Sequence, residues 1–237
     1  MLLGPTGAGK SSFVNKAIGN EGDDVEHSLI SCTSKIKATR CTIEGSRVVL
    51  VDTPGFNHTN ISDLEILKLI ADWLVKTKGK LLSGLLYFHR ISDDFINGSL
   101  SKNLRVFQKL CGDNAMSHVV LTTTMWDEVD ETFGKERLEE LRESDWRAMI
   151  ERGSRTFRYL NTQESAQELL LQLVGNKRCK LQLQKEMGGN RMQILKTSAA
   201  RELRSPLGHI QQYDRYRAQQ TQTSTKYPWN RPDVSNA

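Results

Sequence analysis

Gly4-Pro5-Thr6-Gly7-Ala8-Gly9-Lys10-Ser11 satisfies G-x-x-x-x-G-K-[ST] at every position, and Ser12 follows. The chemistry of such a run is anion binding. Its glycines let a loop turn tightly, so that successive backbone N–H groups point inward at phosphates. A helix starting near Lys10 adds the positive end of its dipole to the same anion. Lys10 supplies a point charge to β- and γ-phosphates, and the Ser11 hydroxyl is a ligand for Mg2+. The pattern assigns Gly4, Thr6, Gly7, Ala8, Gly9, Lys10, Ser11 and Ser12 to a phosphate cradle; a glycine-rich turn that matches by chance is the alternative.

Val48-Val49-Leu50-Val51-Asp52-Thr53-Pro54-Gly55 places a carboxylate at the end of an apolar strand and then a glycine able to approach a γ-phosphate. In this D-x-x-G arrangement Asp52 serves the magnesium through a bound water, and the Gly55 N–H senses the γ-phosphate. Asp-Thr-Pro-Gly taken alone is an ordinary turn. Its position 42 residues after Lys10, closing a hydrophobic strand, makes it more than that.

The elements that must hold these residues alternate between strand-like and helix-like over residues 1–175, which predicts an α/β fold with a mostly parallel sheet. Arg47 to Val51 reads as a strand buried on both faces, and Leu81–His89 and His118–Thr123 as two more. Ser62-x-x-Glu65 is a capping box opening a helix through Leu64, Leu67, Ile70, Ala71 and Leu74. Leu100, Leu104, Phe107, Leu110 and Cys111 form the next helical stripe, ended by Gly112. A charged helix is predicted from about Lys135 to Glu151, stopping near Gly153, and a final one through Ala166, Leu169, Leu170, Leu173 and Val174 to Gly175. Beyond it the signals weaken: Leu181, Leu183 and Met187 would extend a helix until Gly188-Gly189 interrupts it, and residues 205–237 have the polar composition of a disordered tail. The domain reading is a nucleotide-binding domain over 1–175 and a basic, partly helical then disordered tail over 176–237.

Charge divides at the same place: residues 1–175 sum to −3 and residues 176–237 to +8. A basic tail suits nucleic acid, an anionic surface or an acidic partner, or is simply solvated. Clusters such as Lys177-Arg178-x-Lys180 and Arg215-Tyr216-Arg217 lack the aromatic platform of a nucleic-acid module. No apolar run reaches the roughly 18 residues of a transmembrane helix. Cys32, Cys41, Cys111 and Cys179 are spread without metal-ligand spacing and read as free thiols, so a cytoplasmic location is expected. Only Met1-Leu2-Leu3 precedes the phosphate loop, where about five strand residues are usual. A truncated start, or else a short and less stable first strand, is the expectation.

The joint pattern resembles the translation-factor-related P-loop GTPases, and within them the septin-like branch that includes the immunity-associated GTPases, the chloroplast import-receptor GTPases and the septins. Asp52-Thr53-Pro54-Gly55-Phe56 is that branch's wording. Ser31-Cys32-Thr33, Leu86 to Asp93 and Thr124-Met125-Trp126-Asp127 also resemble a group of fungal G-domain proteins. The likeness runs from Met1 to about Gly175. It implies a P-loop three-layer sandwich that binds GTP or GDP with Mg2+, and a threonine that joins the metal when the γ-phosphate is present. Thr33, Thr39 and Thr42 compete for that role; Thr33 fits the branch's pattern, so Ser11, Thr33 and Asp52 form the expected metal set, and Lys10, Thr33 and Gly55 the catalytic one.

GTPases read guanine with [NT]-K-x-D after a strand, where the aspartate accepts from the N1 and N2 groups of the base. A wrong base leaves that buried carboxylate unpaired. Here Thr124 and Asp127 match and Met125 stands in the lysine position, offering apolar contact without charge. Asp127 is alternatively a helix N-cap. The branch's remaining base contact resembles Arg155 to Thr162, with Asn161 as its candidate and a turn or cap as the alternative.

Phe56 occupies the position where small GTPases carry a water-orienting glutamine, so slow hydrolysis is expected. The branch's dimerisation across the nucleotide face offers a site completed in trans, with His58 and Arg90 as donors. Two functions stay open: a slow GTP-hydrolysing switch, and an assembly module that uses nucleotide to hold a dimer. An ATP-using P-loop kinase ranks below both, lacking a recognisable acceptor-binding or lid segment.

Overall fold

The computed structural model describes residues 1–19, 34–77, 81–93, 98–188 and 190–205. Six strands form one sheet in the order β2-β3-β1-β4-β5-β6: β1 Leu2–Leu3, β2 Lys37–Ile43, β3 Ser46–Asp52, β4 Leu85–Arg90, β5 Val119–Thr124 and β6 Arg155–Arg158. β2 and β3 pair antiparallel and every other pair is parallel. This is the α/β P-loop GTPase fold expected. β1 is short yet central, with Leu2 in register with Asp52 on one side and Leu86 on the other.

Strand alternation sends side chains to two cores. Leu3, Tyr87, Val119 and Leu121 face one, covered by α2 (Asp63–Lys76) and α3 (Gly98–Cys111). Leu2, Leu86, Phe88 and Val120 face the other, covered by α1 (Lys10–Ala17) and α6 (Gln163–Leu171). Phe13 of α1 packs edge-on against Phe88 and Tyr159, 5.2 and 5.1 Å between ring centroids. That contact, worth more than area alone, anchors the helix whose first turn must face the phosphates.

Ser62 caps α2 as read from its spacing: its hydroxyl accepts from Glu65 N while Glu65 accepts from Ser62 N. Gly112, at φ +72°, follows the end of α3. Other expectations need correction. β3 is not buried on both faces, since Val49 is 53% exposed; its neighbour β2 is an edge strand, and among the described residues no helix layer covers that part of the sheet on both sides. The strand at Leu81–His89 begins only at Leu85, because Leu82 instead bridges to Cys179. The charged helix starts earlier and is broken: α4 spans Glu131–Glu143, Ser144 Oγ donates to Glu140 O, and α5 spans Arg147–Ile150. Trp146, between them, is fully buried.

The boundary at Gly175 moves as well. One compact unit runs from Met1 to Arg204. α7 (Gln182–Met187) and α8 (Ser198–Arg204) pack on α2 and α3. Leu181, Leu183, Met187, Ile194, Ala199 and Ala200 lie in the same core as the sheet. The helical spacing of Leu181, Leu183 and Met187 was visible in the sequence, but their burial is what makes this segment a layer of the domain. The expectations for Thr33 and for residues 206–237, including Arg215-Tyr216-Arg217, lie outside the described residues.

Candidate functional site

The loop between β1 and α1 sits at the end of the sheet where β3 and β4 also stop. α1 opens on Gly9 without a side-chain cap and carries no acid in its first turn. Its orphan N–H groups and dipole are thus left for an anion. Gly4 is required by space: its φ is +134°, and a Cβ there would lie 2.4 Å from the Phe88 carbonyl oxygen.

Lys10 is buried, and its Nζ turns back to donate to Pro5 O at 2.8 Å and Gly4 O at 3.3 Å. Burial pulls its pKa down to about 8, with the Asp52 charge working the other way. Ser11 Oγ donates to Asp52 Oδ2 at 2.6 Å. Burial pushes the Asp52 carboxyl up, held back by the Ser11 hydrogen bond and Lys10. Its other oxygen, Oδ1, is buried with no hydrogen-bond partner among the described residues. A hydroxyl and one carboxylate with a spare oxygen suit Mg2+, and the facing ammonium suits the phosphates that would come with it. Mg2+ keeps several waters and takes few protein ligands when phosphates supply the rest. No group of three or more His, Cys, Asp or Glu among the described residues forms an all-protein cage.

Gly55 meets the loop as its type required. A Cβ on it would lie 2.5 Å from the Thr6 N and Cα atoms. Thr6 Oγ1 donates to Gly55 O at 3.1 Å. The adjoining Phe56 meets the loop through its backbone and not its side chain. Its ring is fully buried in the core and its backbone makes the contact, Phe56 N to Gly4 O at 3.1 Å and Thr6 N to Phe56 O at 2.8 Å. No side-chain pattern signals a backbone clamp of this sort.

The Thr124–Asp127 segment lies on the other side of the loop. Thr124, the last residue of β5, is buried and its hydroxyl lies 3.3 Å from both Ala8 O and His89 O. Met125 adopts the left-handed conformation, φ +58° and ψ +41°. Its Cε reaches to 4.0 Å from where a Cβ on Gly9 would stand. The thioether thus runs along the loop, where a lysine stem is expected in this motif. Asp127 follows in a short 3-10 turn and is exposed; it caps no helix, because Asp130 caps α4 by accepting from Thr132 N and Phe133 N. Asn161 is left-handed and exposed immediately before Thr162, the N-cap of α6.

Two further contacts escaped sequence reading because their partners are distant in the chain. The Arg158 guanidinium lies 3.9 Å over the Trp126 ring and pairs with both Glu131 oxygens at 2.7 Å. This stack, a cation–π contact completed by a bidentate ion pair, braces the turn that carries Asp127. Arg90, at the end of β4, lies in register with Thr124. His58 Nδ1 accepts from Asn60 N in its own loop. Ser12 is half-buried on α1, and Thr39 and Thr42 lie on β2, half-buried and exposed.

A phosphate loop opening a helix, a carboxylate at the neighbouring strand end and a T-x-x-D turn beyond β5 define a P-loop nucleotide-binding fold of the GTPase type. The profile described as AIG1 family matches residues 1–193. The chain belongs to the AIG1 family. Among solved structures, Toc33 from Arabidopsis thaliana in complex with GDP and Mg2+ is similar in fold, with a TM-score of 0.58 at 21% identity over 76% of this chain and 86% of that one. A structure of the chloroplast translocon components atToc33 and psToc159, in which dimerization is described as important for the GTPase activity, gives 0.60 at 20% identity over 76% and 84%. GTPase Der from Buchnera aphidicola subsp. Baizongia pistaciae (strain Bp) is 33% identical over 69 residues, 29% of this chain. The match spans 15% of that protein's length.

Proposed function

We propose that this chain binds GTP and GDP with Mg2+ and hydrolyses GTP slowly, using the exchange as a switch. The observation that carries the reading is the pairing of Lys10, folded back onto the Gly4 and Pro5 carbonyls, with the Ser11–Asp52 contact across the loop. A buried ammonium held by carbonyls has a better partner in a phosphate, which brings full charge. Lys10 grips the β- and γ-phosphates, and amides of Gly7, Ala8, Gly9, Ser11 and Ser12 complete the cradle. Ser11, Asp52 and Thr33 hold the metal, which when bound neutralises charge on the phosphates. Asp127 reads guanine with Thr124 setting its turn, and Asn161 closes the base site. Gly55 senses the γ-phosphate.

Slow turnover follows from Phe56. Its ring is buried in the core, and a residue so placed cannot orient water. The second reading is a nucleotide-dependent assembly module with little turnover. It draws support from the printed description of atToc33 and psToc159, where dimerization matters for GTPase activity. Among the described residues no helix is long and apolar enough to cross a membrane. Free Cys41, Cys111 and Cys179 suit the cytoplasm. The finer likeness to fungal G-domain proteins rests on Ser31-Cys32-Thr33, Leu86 to Asp93 and Thr124 to Asp127.

Sedimentation with GDP, with a non-hydrolysable GTP analogue and without nucleotide, alongside single-turnover hydrolysis, separates the two. A switch stays monomeric in at least one nucleotide state and turns over slowly. A dimer that persists with the analogue and shows no turnover establishes the assembly reading and refutes the switch.

A further inference from the structure

Met125 removes a positive charge from a place where the guanine-reading motif ordinarily carries one. Its thioether packs beside Gly9, so the apolar part of the lysine's role is kept and the charge is lost. One strand away, the structure holds a cation. Arg90 ends β4 directly across from Thr124, and Ile91 N donates to Thr124 O at 2.9 Å, which fixes the two strand ends together. The Arg90 Nη1 atom lies 3.8 Å from where a Cβ on Gly7 would stand. Its guanidinium therefore leans on the phosphate loop of its own chain.

The rest of its environment leaves this charge available. Arg90 Nη2 pairs with Asp93 Oδ1 at 2.8 Å, with the arginine side chain 41% exposed. Arg90 Nε and Asp93 Oδ2 are buried without hydrogen-bond partners among the described residues. The pair thus makes a single contact and not the two-point clasp that an arginine and a carboxylate form when they are each other's sole purpose. His89, the adjoining residue, is buried and held neutral by burial and by the charges of Arg137 and Arg90. It does not compete for the anion.

Resting on the nucleotide-binding reading above, we propose that Arg90 acts in cis as a nucleotide-positioning residue, supplying beside Gly7 the positive charge that Met125 withholds. An arginine suits this place, since its guanidinium stays charged at any working pH and donates to phosphate oxygens in a planar fork. The role differs from a donor offered across a dimer: it needs no second protomer.

The test is a cycle of variants read by calorimetric GDP and GTP binding with Mg2+: wild type, Arg90→Ala, Arg90→Lys, Met125→Lys and the double variant Arg90→Ala with Met125→Lys, with Lys10→Ala as control. Arg90→Ala is expected to weaken binding on the order of tenfold, the scale of one partly screened charge. Arg90→Lys keeps most of the affinity. Met125→Lys restores most of what Arg90→Ala loses, a rescue that a merely structural arginine would not show. The loss is the same at protein concentrations where sedimentation finds only monomer. Tight wild-type binding abolished by Lys10→Ala, but unchanged by Arg90→Ala, overturns the proposal and leaves the binding reading standing. A loss seen only in dimers, or one that Met125→Lys does not repair, also overturns it. No guanine-nucleotide binding by the wild type brings down both together.

Discussion

Lys10 is where pH acts on this site. Its folded pKa is depressed to about 8 by burial, against about 10.4 for a free lysine. The sign follows from linkage. Above the free value the amine is neutral in both states and costs nothing; as pH falls from about 10.4 to about 8 the unfolded chain takes up its proton first and stability drops, levelling off below 8 where both states are charged. Phosphate reverses the balance by favouring the charged form. Nucleotide affinity should therefore fall as pH rises above about 8, approaching tenfold per unit. Calorimetry at pH 8.5 in buffers of different ionisation enthalpy should show proton uptake on binding. An affinity flat from pH 7 to 9.5 contradicts this. Asp127 carries the second residue-scale prediction. An asparagine there presents one donor and one acceptor, matching the N1–H and C2 carbonyl of xanthine instead of the two donors of guanine. Asp127→Asn should exchange GTP for XTP preference, measured by competition; equal loss of both nucleotides refutes Asp127 as the base reader. The glycine-rich loop that brings Lys10, Ser11 and Asp52 together was legible in sequence because anion binding by backbone demands glycines at fixed spacing. The Arg158–Trp126–Glu131 stack was not, because 27 residues separate Arg158 from Glu131 and only the fold brings them together.

Among the elements, the segment after β3 decides how the phosphate loop is closed. Gly55 presses on Thr6, and Phe56 pairs through its backbone with Gly4 and Thr6. Gly55→Ala forces a methyl group against backbone that cannot rotate away, and should destabilise the domain by about 1–3 kcal/mol, read from the urea midpoint. It should also blunt any difference between GTP and GDP binding. A variant as stable as wild type would show that the loop and this segment separate freely. The sequence identified β3 by its β-branched run but misjudged its burial, since apolarity does not reveal that a strand lies beside an edge. It likewise read one charged helix where α4 and α5 stand. Helical spacing continues through Ser144, yet Ser144 bonds back to Glu140 O and Trp146 turns inward.

For the whole molecule, the lesson lies at residues 176–204. Leu183 is fully buried and Met187 nearly so, although their surroundings in sequence are polar and basic. The spacing of a six-residue helix does not declare that its face is buried, and only the packing on α2 and α3 does so. Leu183→Ala should cost about 2–5 kcal/mol, and ending the chain at Gly175 should lower the thermal midpoint of the whole nucleotide domain in one cooperative transition. An unchanged midpoint after that truncation contradicts α7 and α8 as a layer of the core. The α/β class and the strand-to-helix alternation were legible throughout, because two-sided burial writes itself into runs such as Val119 to Leu121.

The central claim is that this AIG1-family domain binds guanine nucleotide with magnesium through Lys10 and Asp127. Calorimetry with Mg2+ against GTP, GDP and ATP, repeated with Lys10→Ala, tests it most directly. Micromolar or tighter binding of GTP and GDP, at least tenfold weaker binding of ATP, and loss of all three with Lys10→Ala are the predicted result. Binding of ATP as tight as GTP, or guanine binding that survives Lys10→Ala, would contradict it.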